Sequence, residues 1–407
     1  ITTVTDHSLA VKVDSGTASV SEINTINNDS ATGEVTATVI SGAASVLKAL
    51  TTTSTDAITM TVNAEAASAA TLAADLVSLN GNTNRVITMT AVSSVIGSYA
   101  DLLDVYVTNE AQYNGLGNEA VTITGSVTAV QADAIADKTS GVVIATITAD
   151  TASALNAALV DAGGQINAYN LTISAGSVEA TDLTSLDSKT SVVVNAAAVT
   201  AITGSAVQIA AAYAANPTTG ITGLGNESVT ITGTTVATLE ELKAINNATS
   251  GTITLNAESI SADYSGLAAD VKAAFAGITT QTGKITLTDA TVSVADINTV
   301  AGVTSGEVIA TVTSGAASVL NGLTTTSTDA ITMTVNVEAA SAPTQASDLV
   351  SLNGKTNQVI TMTAVTSVSG SYANLLDVYV KNAEKYNGEG NEEVTITGTE
   401  SETEADV

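Results

Sequence analysis

The 407-residue chain has no cysteine and no tryptophan, one phenylalanine, one histidine (His7), one arginine (Arg85) and two prolines. The lack of cysteine excludes disulfides, zinc-thiolate sites and thiol nucleophiles together. Aromatic residues, which bury the most area each, make up only 2% of the chain, so the interior must be filled by small and β-branched side chains. Basic residues are also scarce: 11 Lys and Arg stand against 40 Asp and Glu, a net charge of −29. Nucleic acid and anionic membrane are polyanions that call for Lys/Arg clusters, so neither is expected as a partner. Such acidity suits surroundings rich in salt or divalent cations. No run of eighteen apolar residues occurs, and residues 1–30 lack the basic start and apolar run of a signal peptide, so no transmembrane segment is expected. With one His, one Arg and no Cys, a nucleophile–His arrangement has too few parts, and sugar-cleaving carboxylate pairs lack their usual aromatic and basic companions. The chain is read as a non-enzyme.

What is present is repetition. Residues 34–124 match residues 307–397 at a constant offset of 273, without insertion or deletion. ALTTTSTDAITMTVN at 49 returns as GLTTTSTDAITMTVN at 322, and SYADLLDVYV at 98 as SYANLLDVYV at 371. The differences, Lys48 to Asn321 and Leu116 to Glu389 among them, are of a kind that exposed positions tolerate. The organisation expected is partial leading coils in 1–33, a ten-coil block in 34–306 and a truncated second copy in 307–407. Both ends fall inside the pattern, which leads us to expect a slice of a longer polypeptide, or a subunit whose ends neighbours cover.

Within the long period, alternating apolar and Thr residues mark strands beginning near 34, 58, 86, 121, 142, 170, 192, 229, 252, 284, 307, 331, 359 and 394. Between them the apolar spacing changes to three or four. Val236, Leu239, Leu242 and Ile245 form such a stripe, opened by the capping box Thr238–Glu241; Thr128–Gln131 and Ser19–Glu22 repeat the box. TSG turns at 139, 249 and 304 return the chain to the next strand. Strand, crossover and parallel strand imply a right-handed parallel β-solenoid with short crossover helices, of about fourteen coils and α/β character. Most aromatics fall in three longer helical stretches, which are expected to form a ridge or buttress and a candidate protein-contact surface, although an aromatic at helical spacing is more often simply core packing.

Two motifs could carry binding. The turn GxGNE occurs at 115–119, 223–227 and 388–392, each ahead of a VTITG strand. Its glycines allow positive φ, and Asn118, Glu119, Asn226, Glu227, Asn391 and Glu392 offer oxygen ligands for a structural Ca²⁺. The competing reading is a tight return turn with a solvated glutamate. In VTITG, Val121 and Ile123 point inward and Thr122 and Thr124 outward, and Thr88/Thr90, Thr230/Thr232 and Thr286/Thr288 repeat the pattern. Stacked about 4.8 Å apart, these hydroxyls would form ladders of the type that ice-binding solenoids present. β-Propensity explains the same threonines.

In its TSG turns, VTITG strands and Ala/Thr/Asp-rich crossovers, the chain resembles the repetitive, acidic, Cys-free β-solenoid regions of large exported bacterial surface proteins: giant adhesins and the long repeat proteins of marine bacteria and cyanobacteria. It departs from calcium-binding nonapeptide repeats, since GGxGxDxUx is missing, and from leucine-rich repeats. The resemblance implies an extracellular or cell-surface structural protein that self-associates into a fibre, filament, spacer or surface layer (S-layer) and is adhesive through its faces. The alternative is a Thr-ladder or GxGNE-turn binding module for ice, glycan, mineral or calcium.

Overall fold

A computed structural model describes residues 9–30, 32–89, 91–160, 166–215 and 220–398. His7, Ala31, Thr90 and the closing segment 399–407 therefore lie outside the described residues.

The strands follow from β-branched alternation: Val35 and Ala37 are buried in Val35–Thr38 while Thr38 is exposed, and Val143, Ala145 and Ile147 are buried in Val143–Ile147. The helices follow from three-to-four spacing, as in Leu239–Ala248, where Leu242 and Ile245 are fully buried. Its capping box closes in both directions: Glu241 N donates to Thr238 Oγ1 at 3.2 Å and Thr238 N donates to Glu241 Oε2 at 2.8 Å. Thr128 and Gln131 do the same for Ala129–Ala136. Each strand predicted from the sequence lies within two or three residues of an observed one.

The chain divides into two compact units, Ile1–Val199 with Ala215–Gly223, and Thr200–Ala214 with Leu224–Val407. In the first, Val11–Lys12, Val35–Thr38 and Ala57–Thr59 form one sheet in that order. Thr71–Leu72, Ser94–Ser98, Ala120–Val127, Val143–Ile147 and Ala168–Asn170 form a second, five strands wide. In the second unit, Tyr264–Gly266, Ile285–Leu287, Val308–Thr311 and Ala330–Thr332 form a four-stranded sheet, and Thr344–Gln345, Ser367–Gly370 and Glu393–Ile396 a three-stranded one. Both units carry two-stranded sheets as well, such as Ile87–Thr88 with Tyr113–Asn114 and Ile360–Thr361 with Tyr386–Asn387. The pairs are parallel, and the connections carry helices such as Ala73–Gly81 and Ala346–Asn353.

The expectation of a β-solenoid of fourteen coils is corrected by this arrangement. The protein is mixed α/β, with 35% helix and 27% strand, and among the described residues its strands form no closed or solenoid sheet. Among the described residues the strands sort into ten separate sheets of two to five strands. Many strands are only two residues long, too short to carry one uninterrupted ladder, and the intervening i, i+3 segments fold as helices that fill the core beside them. The 273-residue period survives at the level of elements: Ala44–Leu47 recurs as Ala317–Leu320 and Tyr99–Leu103 as Tyr372–Leu376.

The long aromatic stretch at 98 is no continuous α-helix. It runs as α-helix over Tyr99–Leu103, widens into a π-helical turn over Asp104–Thr108, and closes as a 3₁₀ turn over Glu110–Gln112. Most of these aromatics pack into the core, as aromatics at helical spacing more often do. Tyr106 and Tyr113 are buried, as are Tyr213, Tyr264, Phe275 and Tyr386, with Tyr264 and Phe275 edge to face at 5.0 Å.

Candidate functional site

Each GxGNE turn leaves a short strand or bridge and enters the next VTITG strand. Gly115 and Gly117 hold φ of +100° and +118°, in the left-handed region where a β-carbon is strained. That conformation aims successive amides at one point, and the glutamate carboxylate occupies it. Gly117 N donates to Glu119 Oε2 at 2.8 Å and Asn118 N at 3.1 Å. In the second turn Gly225 N donates to both oxygens of Glu227 at 2.9 Å. In the third, Gly390 N and Asn391 N donate to Glu392 Oε2 at 2.8 and 2.9 Å. Glu119 and Glu227 are buried and Glu392 half-buried, whereas Asn118, Asn226 and Asn391 are exposed.

A tyrosine stands over each carboxylate. Tyr213 Oη donates to Glu227 Oε2 at 3.1 Å and Tyr379 Oη to Glu392 Oε1 at 2.5 Å. In the first turn, Tyr106 faces Glu119, but its hydroxyl and Glu119 Oε1, both buried, do not meet in the well-formed hydrogen bond that the other two turns make. Burial, then the neighbouring carboxylate, pushes the Tyr106 hydroxyl well above its usual range. Burial raises Tyr213 and Tyr379 as well. Burial works to raise Glu392, but the Tyr379 hydroxyl and the turn amides outweigh it and hold that carboxyl below its ordinary value. The third turn also carries Glu389 where the others have Leu116 and Leu224; burial and the charge of Glu392 push Glu389 up.

The TSG segment of the following repeat clamps the turn. Thr249 Oγ1 donates to Glu227 O at 2.8 Å and accepts from Gly251 N at 3.0 Å, while Ser250 N donates to Gly225 O at 2.9 Å. Thr139, Ser140 and Gly141 repeat the set on Glu119 O and Gly117 O. A β-carbon on Gly251 would lie 2.0 Å from Glu227 O, which is why glycine stands there. The same economy appears in TTTSTD: buried Asp56 accepts from Val35 N at 2.7 Å and Thr53 N at 2.7 Å, and Asp329 from Val308 N and Thr326 N.

The six residues expected to bind Ca²⁺ thus split by role. The three glutamates face inward onto their own turns, and the three asparagines face out. Among the described residues no group of three or more His, Cys, Asp or Glu is placed to hold a metal ion. The tyrosines were missed by motif reading, although a spacing of 13, 14 and 13 residues from Tyr106, Tyr213 and Tyr379 to their glutamates was visible. The threonine rows are short. Thr203, Thr230 and Thr254 make three rungs, and Thr38–Thr59 and Thr311–Thr332 two each. Thr122 instead pairs with Ile96 and Ile144, and Thr286 with Ile309.

Among the described residues no helix is long and apolar enough to cross a membrane. No protein-family model matches the chain, and a search of the curated proteins finds no match.

Proposed function

We propose that the chain is an extracellular structural repeat protein, a component of a fibre, spacer or surface layer that works by contact between copies. The observation that carries this reading is the use made of its polar side chains. Glu227, Asp56, Asp329, Thr249 and Thr139 are buried and bonded to backbone of their own or a neighbouring repeat, a use that fixes the spacing of repeats and leaves their oxygens committed. The indel-free 273-residue duplication supports it further, because multiplying a unit is how a structural repeat protein grows. The acidic composition fits surroundings rich in salt or divalent cations. Negative-stain electron microscopy and sedimentation velocity of the purified chain test the reading. Ordered filaments, sheets or concentration-dependent oligomers are expected; dispersed particles of 40.3 kDa at high protein concentration and high salt would overturn it.

A further inference from the structure

The five-stranded sheet of the first unit turns an uncharged, largely aliphatic face to solvent. Its register places Leu72, Ile96, Thr122, Ile144 and Ala168 side by side across all five strands. Leu72 and Ile144 are 48% and 45% exposed, and the adjacent Val142 and Ile166 are 41% and 58% exposed. No residue of these five strands is charged, in a chain with 40 acidic side chains.

The duplicated copy shows that the fold does not require this. At the 273 offset Leu72, Ile96 and Ala120 become Gln345, Ser369 and Glu393. The strands that carry them keep the same parallel register, Gln345 beside Ser369 and Ser367 beside Glu393. At these three positions the first copy is aliphatic and the second polar on the same backbone, so Leu72, Ile96 and Ala120 serve something other than folding.

We infer that this face is a contact between copies, with the same face of a second copy packed on it, sheet against sheet. The inference rests on the self-association reading and names its surface. At a net charge of −29 two copies repel, and an uncharged patch is where they approach at least cost. A two-fold contact sets a patch on itself, so an apolar, uncharged face is complementary to its own copy. Five strands about 4.8 Å apart and three outward rows about 6.8 Å apart give on the order of 500 Å² per copy. That is below the roughly 800 Å² per partner of a stable complex, so the contact is weak alone and depends on concentration.

The test is the full-length triple variant Leu72→Gln/Ile96→Ser/Ala120→Glu, which imports side chains the same backbone already carries at 345, 369 and 393. Ile144→Thr serves as an independent second variant, and circular dichroism melts confirm folding. Sedimentation equilibrium at high salt is expected to show association of the parent chain weakened at least tenfold in the triple variant, with the melt unchanged. The reciprocal Gln345→Leu/Ser369→Ile/Glu393→Ala is expected to associate more strongly. Undiminished association in both the triple variant and Ile144→Thr would overturn this face while leaving self-association standing. A parent chain that stays monomeric throughout would overturn both.

Discussion

Three turns of nearly one sequence hold their glutamates by different sets of donors, and the tyrosine hydroxyl is one of the differences. Tyr213 closes its bond to Glu227; Tyr106 lies buried over Glu119 with its hydroxyl outside well-formed hydrogen-bond geometry. Removing a made buried hydrogen bond costs about 1–3 kcal/mol, whereas deleting an unpaired buried hydroxyl relieves a desolvation cost. Tyr213→Phe is therefore expected to lower stability by about 1–2 kcal/mol, and Tyr106→Phe to leave it unchanged or raise it slightly. Urea unfolding of the two variants checks the order. Equal losses would mean that both hydroxyls are bonded alike. The copies also show how an exchange can look superficial in sequence and still touch structure. Lys48 reaches Asp75 at 2.9 Å, with the Asp75 side chain only 7% exposed. At the same place in the second copy Asn321 Nδ2 donates to Asp348 at 3.2 Å and Asn321 Oδ1 accepts from Ser351 at 2.5 Å. A charged pair is replaced by hydrogen bonds, and the link between the two helices is kept.

At the scale of elements, what fixes one repeat against the next is backbone bonding through buried threonines. Thr249 joins Glu227 O and Gly251 N through one hydroxyl; Thr304 does the same for Gly283 O and Gly306 N. Thr190 bonds both the carbonyl and the amide of Tyr169. Thr249→Val keeps the shape and strands two buried backbone groups, an expected cost of about 2 kcal/mol, while Thr249→Ser is expected to recover most of it. Gly251→Ala is expected to cost more than Thr249→Val, since its β-carbon would meet Glu227 O at 2.0 Å and the carbonyl cannot withdraw without opening the clamp. Chemical denaturation ranks the three; a harmless Gly251→Ala would disprove the close approach. The Lys–Asp pairs between helices, Lys243–Asp270 and Lys272–Asp296, are part-exposed and contribute less, as surface ion pairs do.

For the whole molecule, the buried tyrosines couple stability to alkaline pH. Burial pushes Tyr106, Tyr113, Tyr213, Tyr264, Tyr379 and Tyr386 above their ordinary value of 10.0. A raised folded value means the native state favours the neutral hydroxyl. Its contribution is fully present below pH 10 and is lost as pH rises beyond it, when unfolding lets the phenols ionise. Alkaline titration followed at 295 nm is expected to show these tyrosines ionising together, above pH 10, in step with loss of far-ultraviolet circular dichroism. Smooth ionisation near pH 10 with the circular dichroism intact would contradict their burial.

The sequence by itself determined where the longer strands and the helix caps lie. Alternating Val/Ile and Thr over four or more residues is a local signal, and the boxes Thr238–Glu241 and Thr128–Gln131 act within one turn of chain. It also determined the duplication, which is arithmetic on residues. Two-residue strands such as Thr71–Leu72 and Tyr113–Asn114 have too few residues for a period-two pattern; they are strands only because a partner some 24 to 26 residues away supplies the ladder. That pairing divides the strands of the described residues among ten sheets where the sequence suggested one. It also placed Leu72, Ile96 and Ile144 in a single row, a neighbourhood no linear spacing contains. The inward turn of Glu119 and Glu227 was likewise decided by tertiary structure. A glutamate after Gly-x-Gly-Asn reads as solvated until the amides of its turn, a tyrosine from the preceding helix and the clamp of the next repeat close around it, and together they replace the water a carboxylate would otherwise keep.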